Sequence, residues 1–171
     1  SISRMGRLVT YKNKTTVMEC SIRPSNLEDL KSLSENLRTE DAKEITAQSG
    51  ASPKGGLLYS YFMSKPCLTT VSRHGHVMSM GGVVPEGKDV GRIWLLGCQS
   101  MFDDAIDKRW FLRQSKKTLD DMQNKYSLLF NVVDARNELH VKWIQWLGFT
   151  FIKKHLHWGP ESRLFYEFVR I

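Results

Sequence analysis

The stretch Asn137-Glu138-Leu139-His140-Val141-Lys142-Trp143-Ile144-Gln145-Trp146-Leu147-Gly148-Phe149 decides the fold. Leu139, Trp143, Trp146 and Leu147 recur at helical spacing, which predicts an amphipathic helix with that face buried. Asn137 stands where an N-cap belongs. Gly148 is placed as a left-handed C-cap, and Phe149 restarts an apolar strand, Phe149-Thr150-Phe151-Ile152. Just before it, Leu128-Leu129-Phe130-Asn131-Val132-Val133 is an apolar run of the kind buried on both faces of a sheet.

Outward from this segment, further elements follow. A strand over 19–23 stops at Pro24, and Ser25-Asn26 opens a helix with Leu27, Leu30, Leu33 and Leu37 on one face. A second helix starts at Thr39 with its acids in the first turn, where the helix dipole favours them. A turn-rich connection covers 50–56. The apolar run from Leu57 to Phe62 fits either a short helix or a strand. Three strands, 67–73, 76–84 and 90–98, are joined by hairpin-type loops at Arg73-His74-Gly75 and Pro85-Glu86-Gly87-Lys88. A long helix over about 107–126 turns Phe111, Leu119, Met122 and Tyr126 inward. Two strands, 149–158 and 163–169, flank Gly159-Pro160. The expected class is α+β: a single domain over 17–171, with a mixed, mostly antiparallel sheet of about seven strands and about four helices. Residues 1–16, basic and short of core residues, form an expected flexible arm.

Composition sets the outer limits. A chain of 171 residues with 41% hydrophobic content and five tryptophans buries a full core. Its longest apolar runs fall short of the ~20 residues of a membrane helix. Ser1 to Lys14 lack the apolar centre of a secretory signal. Cys20, Cys67 and Cys98 are odd in number and far apart, as free thiols of a reducing compartment are. The net charge of +7 favours an anionic partner. Nucleic acid fits that charge but finds no RNP, zinc-finger or homeodomain-like pattern to support it. His74-x-His76 and His155-x-His157 each place two imidazoles on one strand face. With no cysteine or carboxylate completing either pair, no metal site is expected.

Strand, Asn, amphipathic helix, Gly-Phe and strand together resemble the acyl-CoA half of the GNAT (GCN5-related N-acetyltransferase) superfamily, and the element order over 19–171 follows that fold. The chain is most similar to the GNAT-like proteins of short-tailed phages, including an internal virion protein. That likeness lies in Trp94-Leu95-Leu96-Gly97, Arg109-Trp110-Phe111-Leu112-Arg113 and the Asn137–Phe149 helix. The resemblance implies transfer of an acetyl group from acetyl-CoA to an amine of a protein or small molecule, in the host cytoplasm or the virion. In that reading the backbone of Leu96, Gly97 and Cys98 holds the pantetheine and polarises the thioester. Lys108, Arg109 and Arg113 bind phosphates, Asn137 orients the pantetheine, and His76 is the best placed of the candidate bases.

The sequence departs from the family at two places. The Gln/Arg-x-x-Gly-x-Gly/Ala loop that cradles diphosphate at a helix N-terminus is absent, since no glycine lies between Cys98 and Lys125. Ile144 stands where a tyrosine often protonates the leaving thiolate. These departures support the alternative, a non-catalytic GNAT-like phage protein acting as a virion component or binder of a host factor.

Overall fold

A computed structural model describes residues 8–10 and 16–171. The rest of the expected basic arm, 1–7 and 11–15, lies outside the described residues. Within it, β1 (Leu8–Thr10) pairs antiparallel with β2 (Thr16–Met18). After β3 (Ser21–Pro24), Asn26 opens α1 (Leu27–Glu35) with a reciprocal capping box. Its side chain accepts from the Asp29 amide, and the Asp29 carboxylate accepts from the Asn26 amide. Asp29 also takes two hydrogen bonds from Arg23, at 2.6 and 2.9 Å, and one from the Thr69 hydroxyl. One buried acid thus fastens the first helix to two strands.

Helix α2 (Thr39–Ser49) ends at Gly50, which is left-handed. The open reading of 57–62 resolves as part of a longer helix, α3 (Pro53–Met63). Ser52 caps it by accepting from the Gly55 amide, and Pro53 takes the first position, where a missing N–H costs nothing. The helix count is therefore five rather than about four. Gly56 lets α3 lie close to α2, because a Cβ there would run into the Ile45 side chain.

Strands β4 (Cys67–Val71), β5 (Val77–Gly87) and β6 (Val90–Gly97) form the expected meander. Helix α4 (Ala105–Lys125) crosses to β7 (Leu128–Asp134), and α5 (Glu138–Trp146) leads to β8 (Thr150–Trp158) and β9 (Arg163–Arg170). The seven-stranded sheet has the order β3-β4-β5-β6-β7-β9-β8, and its β6–β7 pair is parallel while its other pairs are antiparallel. This is the expected α+β domain.

Strand parity sorts the core into two layers. Leu129 and Val133 of β7 and Phe168 of β9 pack with Leu119 and Met122 of α4 and with Ile144 and Leu147 of α5. Val132 and Phe165, on the opposite parity, pack with Ala47 of α2, while Met78, Met80 and Leu96 meet Leu30 and Leu33 of α1 and Leu57 of α3. The face of α5 differs from the expected one. Leu139 and Trp146 are 44% and 46% exposed, while Ile144 is 2% exposed, so the buried stripe runs through Ile144 and Leu147. No helix among the described residues is long and apolar enough to cross a membrane.

Candidate functional site

Strands β6 and β7 pair only at Val90–Leu128, Gly91–Leu129 and Arg92–Phe130, and beyond those residues the sheet opens. Asn131 spans the start of the opening, its side-chain amide donating to the Ile93 carbonyl at 2.7 Å. A cavity of about 540 Å³ passes through it. Trp94 and Leu95 line it from β6, Phe111 and Thr118 from α4, and His140 and Ile144 from α5.

The backbone of β6 is oriented by its partner β5. The Cys98 amide donates to the Met78 carbonyl at 2.8 Å, so by alternation Cys98, Leu96 and Trp94 direct their backbone groups toward β5. Those of Gly97, Leu95 and Ile93 face the opening. At Gly97 they are engaged: its amide donates to Asp41 Oδ2 at 2.9 Å, and its carbonyl accepts from the Arg38 amide at 2.9 Å. The space beside Gly97 is filled as well, since a Cβ there would meet the Met101 sulfur. Of the three residues expected to polarise a thioester, Leu96 and Cys98 turn their backbone toward β5, and Gly97 is bonded to α2.

Asp41 belongs to a buried polar cluster that crosses the opening. Its Oδ1 accepts from Arg38 at 3.0 Å and from the Asn137 side-chain amide at 2.9 Å. Glu44, one turn further along α2, accepts from the Asp134 backbone amide at the end of β7. His140 Nδ1 lies 3.6 Å from Glu44 Oε2. Burial pulls the His140 pKa down, but Glu44 and Asp41 outweigh burial and Arg38, and the net direction is upward. One oxygen from each acid and one imidazole nitrogen lie within 4.8 Å of one another. Among the described residues, Asn137 Oδ1, His140 Nδ1 and Trp143 Nε1 are buried without a hydrogen-bond partner. From the sequence, Asn137 is expected to orient a cofactor or to cap the helix. In the structure it makes no side-chain cap and is 1% exposed, directed at Asp41. Asp41 and Glu44 are not among the residues singled out by the sequence, from which no metal site is expected. The signal they offered is spacing: Asp41-x-x-Glu44 and Asn137-x-x-His140 are both helical pairs on one face.

The other candidates lie apart from this cluster. Lys108, Arg109 and Arg113 are exposed on the outer side of α4, and none lines the cavity. Lys108 Nζ sits 5.7 Å from the Phe102 ring centroid, and Arg109 Nε reaches back to its own helix. The N-terminus of α4 already holds carboxylates. Asp104 accepts from the amides of Ile106 and Asp107, and Arg73 pairs with Asp104 and Asp107 at 2.6 and 3.2 Å. His76 is exposed in the β4–β5 hairpin, its amide donating to Ser72 Oγ. Anchoring positions that carry acids and engaged amides do not fit a CoA diphosphate.

Residues 67–156 match the model of a family described as bacteriophage T7, probable scaffold protein Gp13. No curated protein matches the sequence. Among solved structures, the spermidine N-acetyltransferase of Vibrio cholerae in complex with CoA and spermine is similar at 8% identity and a TM-score of 0.66, over 89% of this chain and 95% of that one. Ard1 from Thermoplasma volcanium is similar at 14% identity and a TM-score of 0.65, over 89% and 97%. An acetyltransferase of the GNAT family from Streptococcus pneumoniae follows at 11% and 0.60, over 89% and 99%. At such identities the likeness is one of fold, and the fold is that of the GNAT proteins.

Proposed function

This chain belongs to the family of the bacteriophage T7 probable scaffold protein Gp13, and from that premise we propose that it is a non-catalytic GNAT-fold component of phage assembly. Its partners are other phage proteins, and its place is the forming particle. One observation carries the reading. Asp41 holds the Gly97 amide, where the GNAT resemblance expects a thioester ligand, and Asp104 caps α4, where it expects a diphosphate. Carboxylates at both places repel the anionic cofactor and satisfy the donors it would use.

The cavity of about 540 Å³ favours a second reading, an N-acetyltransferase taking acetyl-CoA and an amine of a protein or small molecule. There Leu96, Gly97, Cys98 and His76 would serve the chemistry, and Lys108, Arg109, Arg113 and Asn137 the cofactor.

Calorimetry with acetyl-CoA up to millimolar concentration separates the two. The assembly reading expects no saturable heat. It also expects that particles formed in cells infected with a phage lacking this gene are short of one or more internal proteins and lose infectivity. Saturable acetyl-CoA binding with turnover, or particles of normal content, would refute it.

A further inference from the structure

We propose that Asp41, Glu44, Asn137 and His140 form a binding site for a divalent first-row metal ion, Zn2+ foremost. Asp41 and Glu44 lie one turn apart on α2, and Asn137 lies at the start of α5 with His140 one turn on. The two pairs, each at i, i+3 spacing, come from elements packed on opposite faces of the sheet and meet where it opens, the Asn137 amide reaching Asp41. The atoms presented are electron-pair donors: a carboxylate oxygen from each acid and an imidazole nitrogen within 4.8 Å of one another, beside the Asn137 amide.

Two details distinguish this cluster from an ordinary buried hydrogen-bond network. The first is orphaned acceptor capacity. Asn137 is 1% exposed, and its Oδ1 finds no hydrogen-bond partner among the described residues. Native interiors rarely leave such atoms unpaired. The second is a distance. His140 Nδ1 and Glu44 Oε2 are 3.6 Å apart, too long for a good hydrogen bond. Two ligands of one tetrahedral Zn2+, each bonded at about 2.1 Å, lie roughly 3.4 Å apart.

The surroundings act as an outer shell. The Gly97 and Asp134 amides and the Asn137 Nδ2 group each hold one carboxylate oxygen, which fixes how the two acids face inward. Arg38 bonds Asp41 Oδ1, so the two acids and Arg38 together carry one net negative charge. A divalent ion reverses that sign. Nitrogen and oxygen donors suit Zn2+ and Mn2+, and Zn2+ binds such sets more tightly. The site needs no acetyl-CoA, and it stands whichever reading of function holds.

The test uses the full tag-free chain, stripped with a chelator and titrated at neutral pH with ZnCl2 and, separately, MnCl2. One equivalent of Zn2+ should bind at micromolar or lower concentration and raise the melting temperature. His140→Gln and Glu44→Gln should each weaken binding roughly a hundredfold or more. Since both variants disturb a buried cluster, Co2+ is also added to the unaltered chain, where intense visible bands mark a four-coordinate site. Absence of saturable Zn2+ binding, unchanged affinity in both variants, or the weak spectrum of six-coordinate Co2+ would overturn the proposal.

Discussion

At the residue scale, single buried acids connect parts of the chain that are far apart in sequence. Asp41→Ala strands three donors at once: the Gly97 amide, the Asn137 amide and Arg38. Breaking a buried charged partnership costs about 3–5 kcal/mol, so urea unfolding of the metal-free variant should show a loss of that order. Cys20 shows the same influence on reactivity. Burial first, and then the Asp107 carboxylate that accepts its S–H at 3.0 Å, push its thiol up to about 12. Its alkylation by iodoacetamide at pH 8 should be slower by roughly a thousandfold than that of a free thiol, as its thiolate fraction dictates. Asp107→Asn should raise the rate measured by mass spectrometry, though not to the free-thiol value, because the burial remains. Equal rates in both proteins would refute the coupling.

At the scale of elements, the fastening of α1 predicts an acid sensitivity. Burial alone would raise the Asp29 carboxyl, but Arg23, the Asn26 amide and Thr69 together hold it below the ordinary value. A depressed folded pKa gives stability that is complete above the unfolded value near 3.9 and is lost as pH falls through the folded one. Asp29→Asn should therefore lower stability at pH 7 and flatten its fall below about pH 4, read from denaturant titrations across that range. The β8–β9 turn makes a second case. Gly159 is left-handed at φ +70°, and a Cβ there would collide with the Ala47 carbonyl near the end of α2. Gly159→Ala should cost about 2–4 kcal/mol, seen as a fall in melting temperature, from strain and overpacking combined. Elements were the most legible feature of the sequence, for reasons these cases illustrate. Asn26, Gly50 and Gly148 are punctuation whose meaning is local, and the three central strands follow from alternation and turns. The inner face of α5 was less legible because its periodicity supports two stripes, one through Leu139 and Trp146 and one through His140, Ile144 and Leu147. Only the neighbours decide between them. Helix α3 carried a readable start in Ser52-Pro53, masked by two glycines, of which Gly56 serves close packing on α2 and Gly55 leaves room for the Ser52 cap. The polar cluster was the least legible part: Asp41 and Asn137 are 96 positions apart, and no local spacing announces that a sheet opening brings them together.

At the scale of the molecule, the distribution of charge bears on how the surface is used. Arg109 and Arg113 stand on the outer face of α4, away from the cavity. Replacing both with alanine should change stability by no more than about 0.5 kcal/mol, as surface substitutions do. If the assembly reading holds, the same change should alter incorporation into particles without altering the fold, measured by particle composition beside a circular dichroism spectrum. A large loss of stability would show that these arginines are structural. The narrow β6–β7 pairing has a mechanical consequence too. Three residue pairs and the Asn131 side chain are what the sheet itself offers to hold the β3–β6 plate against the β7–β9 plate. Among the pairings of the seven-stranded sheet this joint has the fewest paired residues, and Asp41 is its rivet, held by Gly97 on one side and Asn137 on the other. Load applied across the sheet would flex it there first, with each plate keeping its own antiparallel ladder intact.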